Sequence, residues 1–206
     1  MGLFSWLFGH SSPDVKNNRN EKHSFRKPHM SEFPGEMTIL SVATSNKNKA
    51  NICAIGLIYL HSEDSFVSVD YICPPSKRFS NSSYNQIYPE TVKDCPKFPE
   101  ALNKILPYIN GKNICMYTTF HWEAIVRACA YYNIETPHPK NILDLYECST
   151  QLFNLPSYTM DEVADKLDEY YIRGDIESTN LLDEAIVNYM VDKHSRLIKP
   201  YVKNWL

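Results

Sequence analysis

Three apolar runs open the ordered part of the pattern. MTILSVA (37–43) is apolar throughout apart from small hydroxyl residues, as a buried strand is. ICAIGLIYL (52–60) repeats that character, and SFVSVDYIC (65–73) alternates apolar and polar positions as a half-exposed strand does. The short polar stretch from His61 to Asp64 predicts a hairpin between the second and third runs, and Pro74 and Pro75 close the third. The period then lengthens. Phe98, Leu102, Ile105 and Leu106 recur at helical spacing, with Pro99 suited to a first helical turn. KNICMYT (112–118) predicts a buried strand, and HWEAIVRACAYYN (121–133) a helix with Ile125, Ala128, Cys129 and Tyr132 along one face. NILDLYECSTQLF (141–153) combines a short strand with a helix. SYTMDEVADKLDEY (157–170) starts on a hydroxyl cap, Ser157 or Thr159, with acids in its first turn. The last long helix runs through STNLLDEAIVNYMVDKH (178–194), with Leu182, Ala185, Ile186, Tyr189 and Met190 inward.

Three strands, then helix, strand, helix, strand and further helices predict an α/β domain. An antiparallel start followed by strand–helix alternation gives a mixed sheet of about five strands with helices on both faces. The 206 residues divide into 1–36 and a folded domain at 37–206. Residues 10 to 36 are polar, contain proline and carry almost no aliphatic side chains, which is linker composition. Before them MGLFSWLFG is too short to span a bilayer or serve as a signal peptide, and Trp6 breaks the myristoylation pattern. Leu3, Phe4, Trp6, Leu7 and Phe8 suit either an apolar tag, for a membrane surface or a protein partner's groove, or a segment that folds back onto the domain.

Apolar content of 43% allows a full core. The net charge of −3 gives no sign of strong non-specific attraction to nucleic acid, although a local basic face is compatible with it. Six cysteines without a C-x-x-C pair argue against a zinc site and suit reduced thiols in a cytoplasmic protein.

At several points the residues resemble the DEDDh-type 3′–5′ exonucleases, a family that includes the proofreading epsilon subunit of bacterial DNA polymerase and has a ribonuclease H-like fold. PETVKDCPKFPEAL (89–102) is similar to the stretch after that family's Ile-His-Gly turn, here shortened to NQIYPE (85–90). NICMYTTFHWEAIVRACAYYNIE (113–135) resembles the strand and helix that carry the third acid. LPSYTMDEVADKL (155–167) resembles a Leu-Pro-Ser-Tyr helix start, and STNLLDEA (178–185) lies where a His-x4-Asp signature belongs. The resemblance spans about residues 37 to 192 and implies a ribonuclease H-like exonuclease domain.

Such enzymes hold two divalent metals about 4 Å apart to activate water and stabilise the leaving oxygen. Magnesium and manganese in that role need oxygen donors, mostly carboxylates, and a histidine serves as base. Carried over position by position, the resemblance puts the first acid pair on Ser41 and Ala43, the third acid on His121, the base on Ser178 and the last acid on Asp183. One carboxylate of four remains. Thr44 is kept where the family places a threonine near the nucleotide's 3′ end, and Phe120 is a candidate for stacking on a base or for packing at the strand end. Glu123, Asp175 and Glu177 lie near the vacated positions as candidate replacements or as surface acids, and Asp144 reads as a turn or cap residue.

The leading expectation is therefore a degenerate exonuclease-fold protein, catalytically inactive and without a metal cofactor, that acts as a regulatory or binding module for single-stranded nucleic acid. An active, divergent magnesium- or manganese-dependent exonuclease is the alternative. A protein-interaction scaffold anchored by residues 1–9 is the second alternative. His121 and Asp183 are expected to share one pocket, with the carboxylate raising the imidazole pKa.

Overall fold

The computed structural model describes residues 36–61 and 65–203. Leu3, Phe4, Trp6, Leu7, Phe8 and the polar stretch that follows them lie outside the described residues, as do 62–64 in the predicted hairpin loop.

Five strands form one mixed sheet in the order β3-β2-β1-β4-β5. β1 (Met37–Thr44) pairs antiparallel with β2 (Ile52–Leu60), and β2 antiparallel with β3 (Phe66–Tyr71). On its other side β1 pairs parallel with β4 (Asn113–Met116), and β4 with β5 (Asn141–Asp144). The helices are α1 (Ser82–Asn85), α2 (Pro89–Val92), α3 (Phe98–Ile109), α4 (Phe120–Tyr132), α5 (Leu145–Leu152), α6 (Met160–Leu167) and α7 (Ile176–Lys203). Apart from α1 and α2, two four-residue helices that the periodicities do not predict, this is the predicted strand and helix order.

Period-two alternation divides β1 between two cores. Leu40 and Val42 face α3 and α4, joining Ile55, Leu57, Leu102, Ile105, Ile125 and Ala128. Met37 and Ile39 face the opposite way, toward Leu145, Val163, Leu182 and Ile186 of α5, α6 and α7. Ser41 and Ala43 continue the Met37–Ile39 row, so the strand periodicity alone turns them toward α7. Gly56 on β2 lets that helix lie close to the sheet. A Cβ there would come within 2.6 Å of Asn180 Nδ2, 2.8 Å of Ser41 Oγ and 2.9 Å of Ile176. All six cysteines are free thiols, and burial raises the pKa of Cys53 and Cys148 to about 12.

Local capping fixes the helix starts around the site. Asp144 caps α5, its carboxylate accepting from Glu147 N–H at 3.1 Å, the cap role read from the sequence. Thr159 caps α6 through Glu162 N–H. Asp175 caps α7, accepting from Ser178 N–H at 2.7 Å.

Candidate functional site

β1 loses its parallel partner after Ile39, where the register with β4 ends. It then carries a register irregularity between Ala43 and Thr44. A cleft of about 280 Å³ opens at that end of the sheet. Its walls bring together Ser41, Ala43 and Thr44 from β1, Phe120 and His121 from the start of α4, and Thr179 from α7. Five positions singled out in the sequence thus converge, 120 and 121 with 41, 43 and 44. Ser178 and Asp183 do not line the cleft.

Each of these side chains has a structural occupation. Val42 N–H points to the side that β4 has vacated, and His121 Nδ1 accepts from it at 2.9 Å. That bond places the proton of the neutral imidazole on Nε2. Burial lowers the His121 pKa to about 4, and a backbone N–H donated to Nδ1 favours the same neutral form. The ring edge still borders the cleft, so solvent there moderates the cost of charging it. Ser41 Oγ donates to Ile176 C=O at 3.4 Å, and Ser178 Oγ accepts from Ile172 N–H at 2.8 Å. Thr44 is held by two asparagines. Asn81 Nδ2 donates to its carbonyl and its hydroxyl, at 3.1 and 3.2 Å, and Asn85 Nδ2 donates to the same carbonyl at 3.1 Å. Phe120 stands half-exposed with the Lys49 ammonium 5.2 Å from its ring centre, which is cation–π range.

Asp183 is fully buried on the sheet-facing side of α7. Neither carboxylate oxygen has a hydrogen-bond partner, nor does either polar atom of the buried Asn180 one turn earlier. Burial raises the Asp183 pKa well above the carboxylate range. Tyr117 N–H favours its charge from outside bonding geometry, and the charge of Asp144 opposes it. The expected pairing is therefore corrected: His121 bonds to the backbone of β1, not to Asp183, and its pKa moves down rather than up. Desolvation of a ring packed against the strand outweighs any carboxylate beyond its reach.

None of the three replacement acids lines the cleft, and Glu177 is exposed on α7. Glu123 pairs with Lys49 outside the cleft, and Asp175 is spent on the α7 cap. Among the described residues no cluster of three or more His, Cys, Asp or Glu could hold a metal ion. As a donor set for two hard cations the residues at the family positions do not fit. Ala43 has no donor atom, the two serines are bonded to backbone, Nδ1 of His121 is taken, and the one carboxylate is sealed where burial disfavours its charge.

Residues that sequence reading passed over complete the cleft. Asn81, Tyr84, Asn85, Tyr171 and Gly174 come from the turn-rich stretch after β3 and the loop before α7. Gly174 has φ +81° and lies against α1, where a Cβ would meet Tyr84 C=O at 2.1 Å. A Gly-Asp pair just before a helical run was the available signal for that turn.

With this geometry in place, solved structures define the fold. The nuclease domain of 3'hExo, described as a DEDDh family member bound to rAMP, superposes with a TM-score of 0.62 at 15% identity over 79% of this chain and 94% of that one. A 3'-exonuclease recognising the 3' end of the histone mRNA stem-loop matches with a TM-score of 0.63 at 14% identity, covering 77% and 82%. E. coli exonuclease I in complex with a dA16 oligonucleotide matches with a TM-score of 0.67 at 14% identity, over 82% of this chain and 43% of that one. The chain thus spans under half the length of exonuclease I. The fold is that of the DEDDh-type 3′-exonucleases, ribonuclease H-like, as the resemblance implied. No family model and no curated protein matches the sequence.

Proposed function

We propose that this chain is an exonuclease-fold protein that has given up hydrolysis and retains the cleft as a binding site for single-stranded nucleic acid. The observation that carries this reading is the cleft wall at 41, 43 and 121. It presents a hydroxyl, a methyl group and a neutral imidazole where two-metal chemistry requires carboxylates. No metal cofactor is needed for such a role. Support for the ligand class comes from the neighbours: 3'hExo is described as bound to rAMP and exonuclease I as in complex with dA16. Aromatic rings at the cleft, Tyr84, Phe120 and Tyr171, suit unpaired bases.

The test is incubation of the purified protein with labelled single-stranded DNA and RNA in magnesium and in manganese. The expected result is that neither is shortened, while the short strands are retained in a binding assay. Metal-dependent shortening that disappears in Asp183→Ala would establish the active alternative instead.

A further inference from the structure

The residues that line the cleft include no lysine or arginine to meet a phosphate. Yet a single strand carries one charge per nucleotide, and that charge must be met somewhere. Two loops at the cleft mouth supply the means. The β1–β2 loop, SNKNKAN (45–51), and the segment SKRFSN (76–81) contain four basic residues and no acid. Lys49 is already paired with Glu123, but Lys47, Lys77 and Arg78 are exposed and form no ion pair among the described residues. Arg173, next to Gly174 of the cleft wall, is committed to Asp161.

The loops are fastened to each other. Asn46 Nδ2 donates to Arg78 C=O at 2.8 Å, while Asn46 Oδ1 accepts from Asn48 N–H and Asn51 Nδ2, both at 2.9 Å. Asn81 N–H donates to Ser45 C=O at 3.1 Å, so the rim continues directly into the residues that hold Thr44. One turn past Asn81 stands Tyr84, 57% exposed and on the cleft wall. Its exposed ring offers an unpaired base a face to stack on.

We propose that Lys47, Lys77 and Arg78 form a phosphate-binding rim for single-stranded nucleic acid, with a base stacked on Tyr84, and that this contact needs no divalent ion. The inference rests on the nucleic-acid reading of the cleft and adds where the strand's charge is met. It places the backbone outside the former metal position, on side chains whose positive charge does not depend on magnesium.

The experiment is fluorescence anisotropy with short labelled oligouridylate and oligothymidylate, over a range of salt concentrations, with magnesium and with EDTA. Wild-type binding is expected to be equal in the two media. In Lys47→Glu/Lys77→Glu/Arg78→Glu, affinity is expected to fall at least tenfold. The slope of log affinity against log salt should flatten by about 2, three contacts at roughly 0.7 each. Tyr84→Ala should weaken binding about fivefold or more at every salt concentration without changing the slope. Lys140→Glu, just before β5 at the end of the sheet opposite Thr44, serves as the charge control and should change neither. Binding that survives the triple reversal, or that is lost in EDTA, overturns the rim while leaving the nucleic-acid reading standing. Failure of both oligonucleotides to bind wild-type protein overturns the two together. Equal competition by inorganic polyphosphate, with no effect of Tyr84→Ala, reduces the surface to a polyanion site and overturns the proposal.

Discussion

His121 accepts a hydrogen bond from the main-chain N–H of Val42, 79 residues away in sequence. The imidazole braces the strand end, at the position to which the resemblance carries the third acid. The bond satisfies a backbone donor that β4 leaves open beyond its last pairing with β1, and it requires an unprotonated Nδ1.

The pH dependence follows from that requirement. The folded-state pKa of His121, about 4, lies below the ordinary imidazole value of 6.5 expected in the unfolded chain. Between those values the unfolded chain binds a proton that the folded one refuses. Stability from this group is therefore present at neutral pH and lost as pH falls through that window, by up to about 3 kcal/mol and less for a ring partly open to the cleft. Urea unfolding at pH 7 and pH 4.5 checks this. His121→Asn keeps an acceptor for Val42 but cannot titrate, and it should flatten the acid slope. An unchanged slope would contradict the assignment.

Asp183 works in the opposite sense. Its folded pKa is raised above the unfolded carboxylate value, so its contribution is fully present in acid and is lost as pH rises through the folded pKa. Asp183→Asn should therefore stabilise the protein at pH 8, by about 1 kcal/mol or more, and have little effect near pH 4. Thermal melts at the two pH values measure it. A destabilisation confined to high pH would mean that the carboxylate is charged and compensated.

Manganese should leave the wild-type melting temperature unchanged, because a ligand that binds only the folded state would raise it. An upward shift abolished by Asp183→Ala would restore a metal site and with it the active reading.

Gly174→Ala should cost several kcal/mol, from a left-handed backbone and from collision with Tyr84 C=O. Gly111→Ala is the comparison. Its φ of +71° is similar, but nothing lies within 4 Å of the added Cβ, so about 1 kcal/mol is expected. Chemical denaturation of the two variants separates backbone strain from the close approach of α1. Equal costs would show that the α1 contact contributes nothing.

Much of the fold was legible in the chain. The period-two run of MTILSVA sets which residues of β1 share a face, and so puts Ser41 and Ala43 on the side of Met37 and Ile39. Helical spacing at 98–106 and 121–133 set the positions of α3 and α4. The absence of carboxylates at 41, 43 and 121 is likewise a property of the sequence alone. Periodicity encodes which way a side chain faces because it depends only on the local backbone. It carries no information about which distant segment arrives to meet it.

Tertiary structure decided the rest. Asn81 and Asn85 take up the polar groups of Thr44 across separations of 37 and 41 residues, and Asn46 ties the two basic loops together across 32. The turn of His121 toward Val42, and the sealing of Asp183 between α7 and the sheet, depend on where β4 stops and how closely α7 lies on β2 at Gly56. Those are packing outcomes. They set hydration, and hydration determines whether a histidine and an aspartate in this fold are charged or neutral.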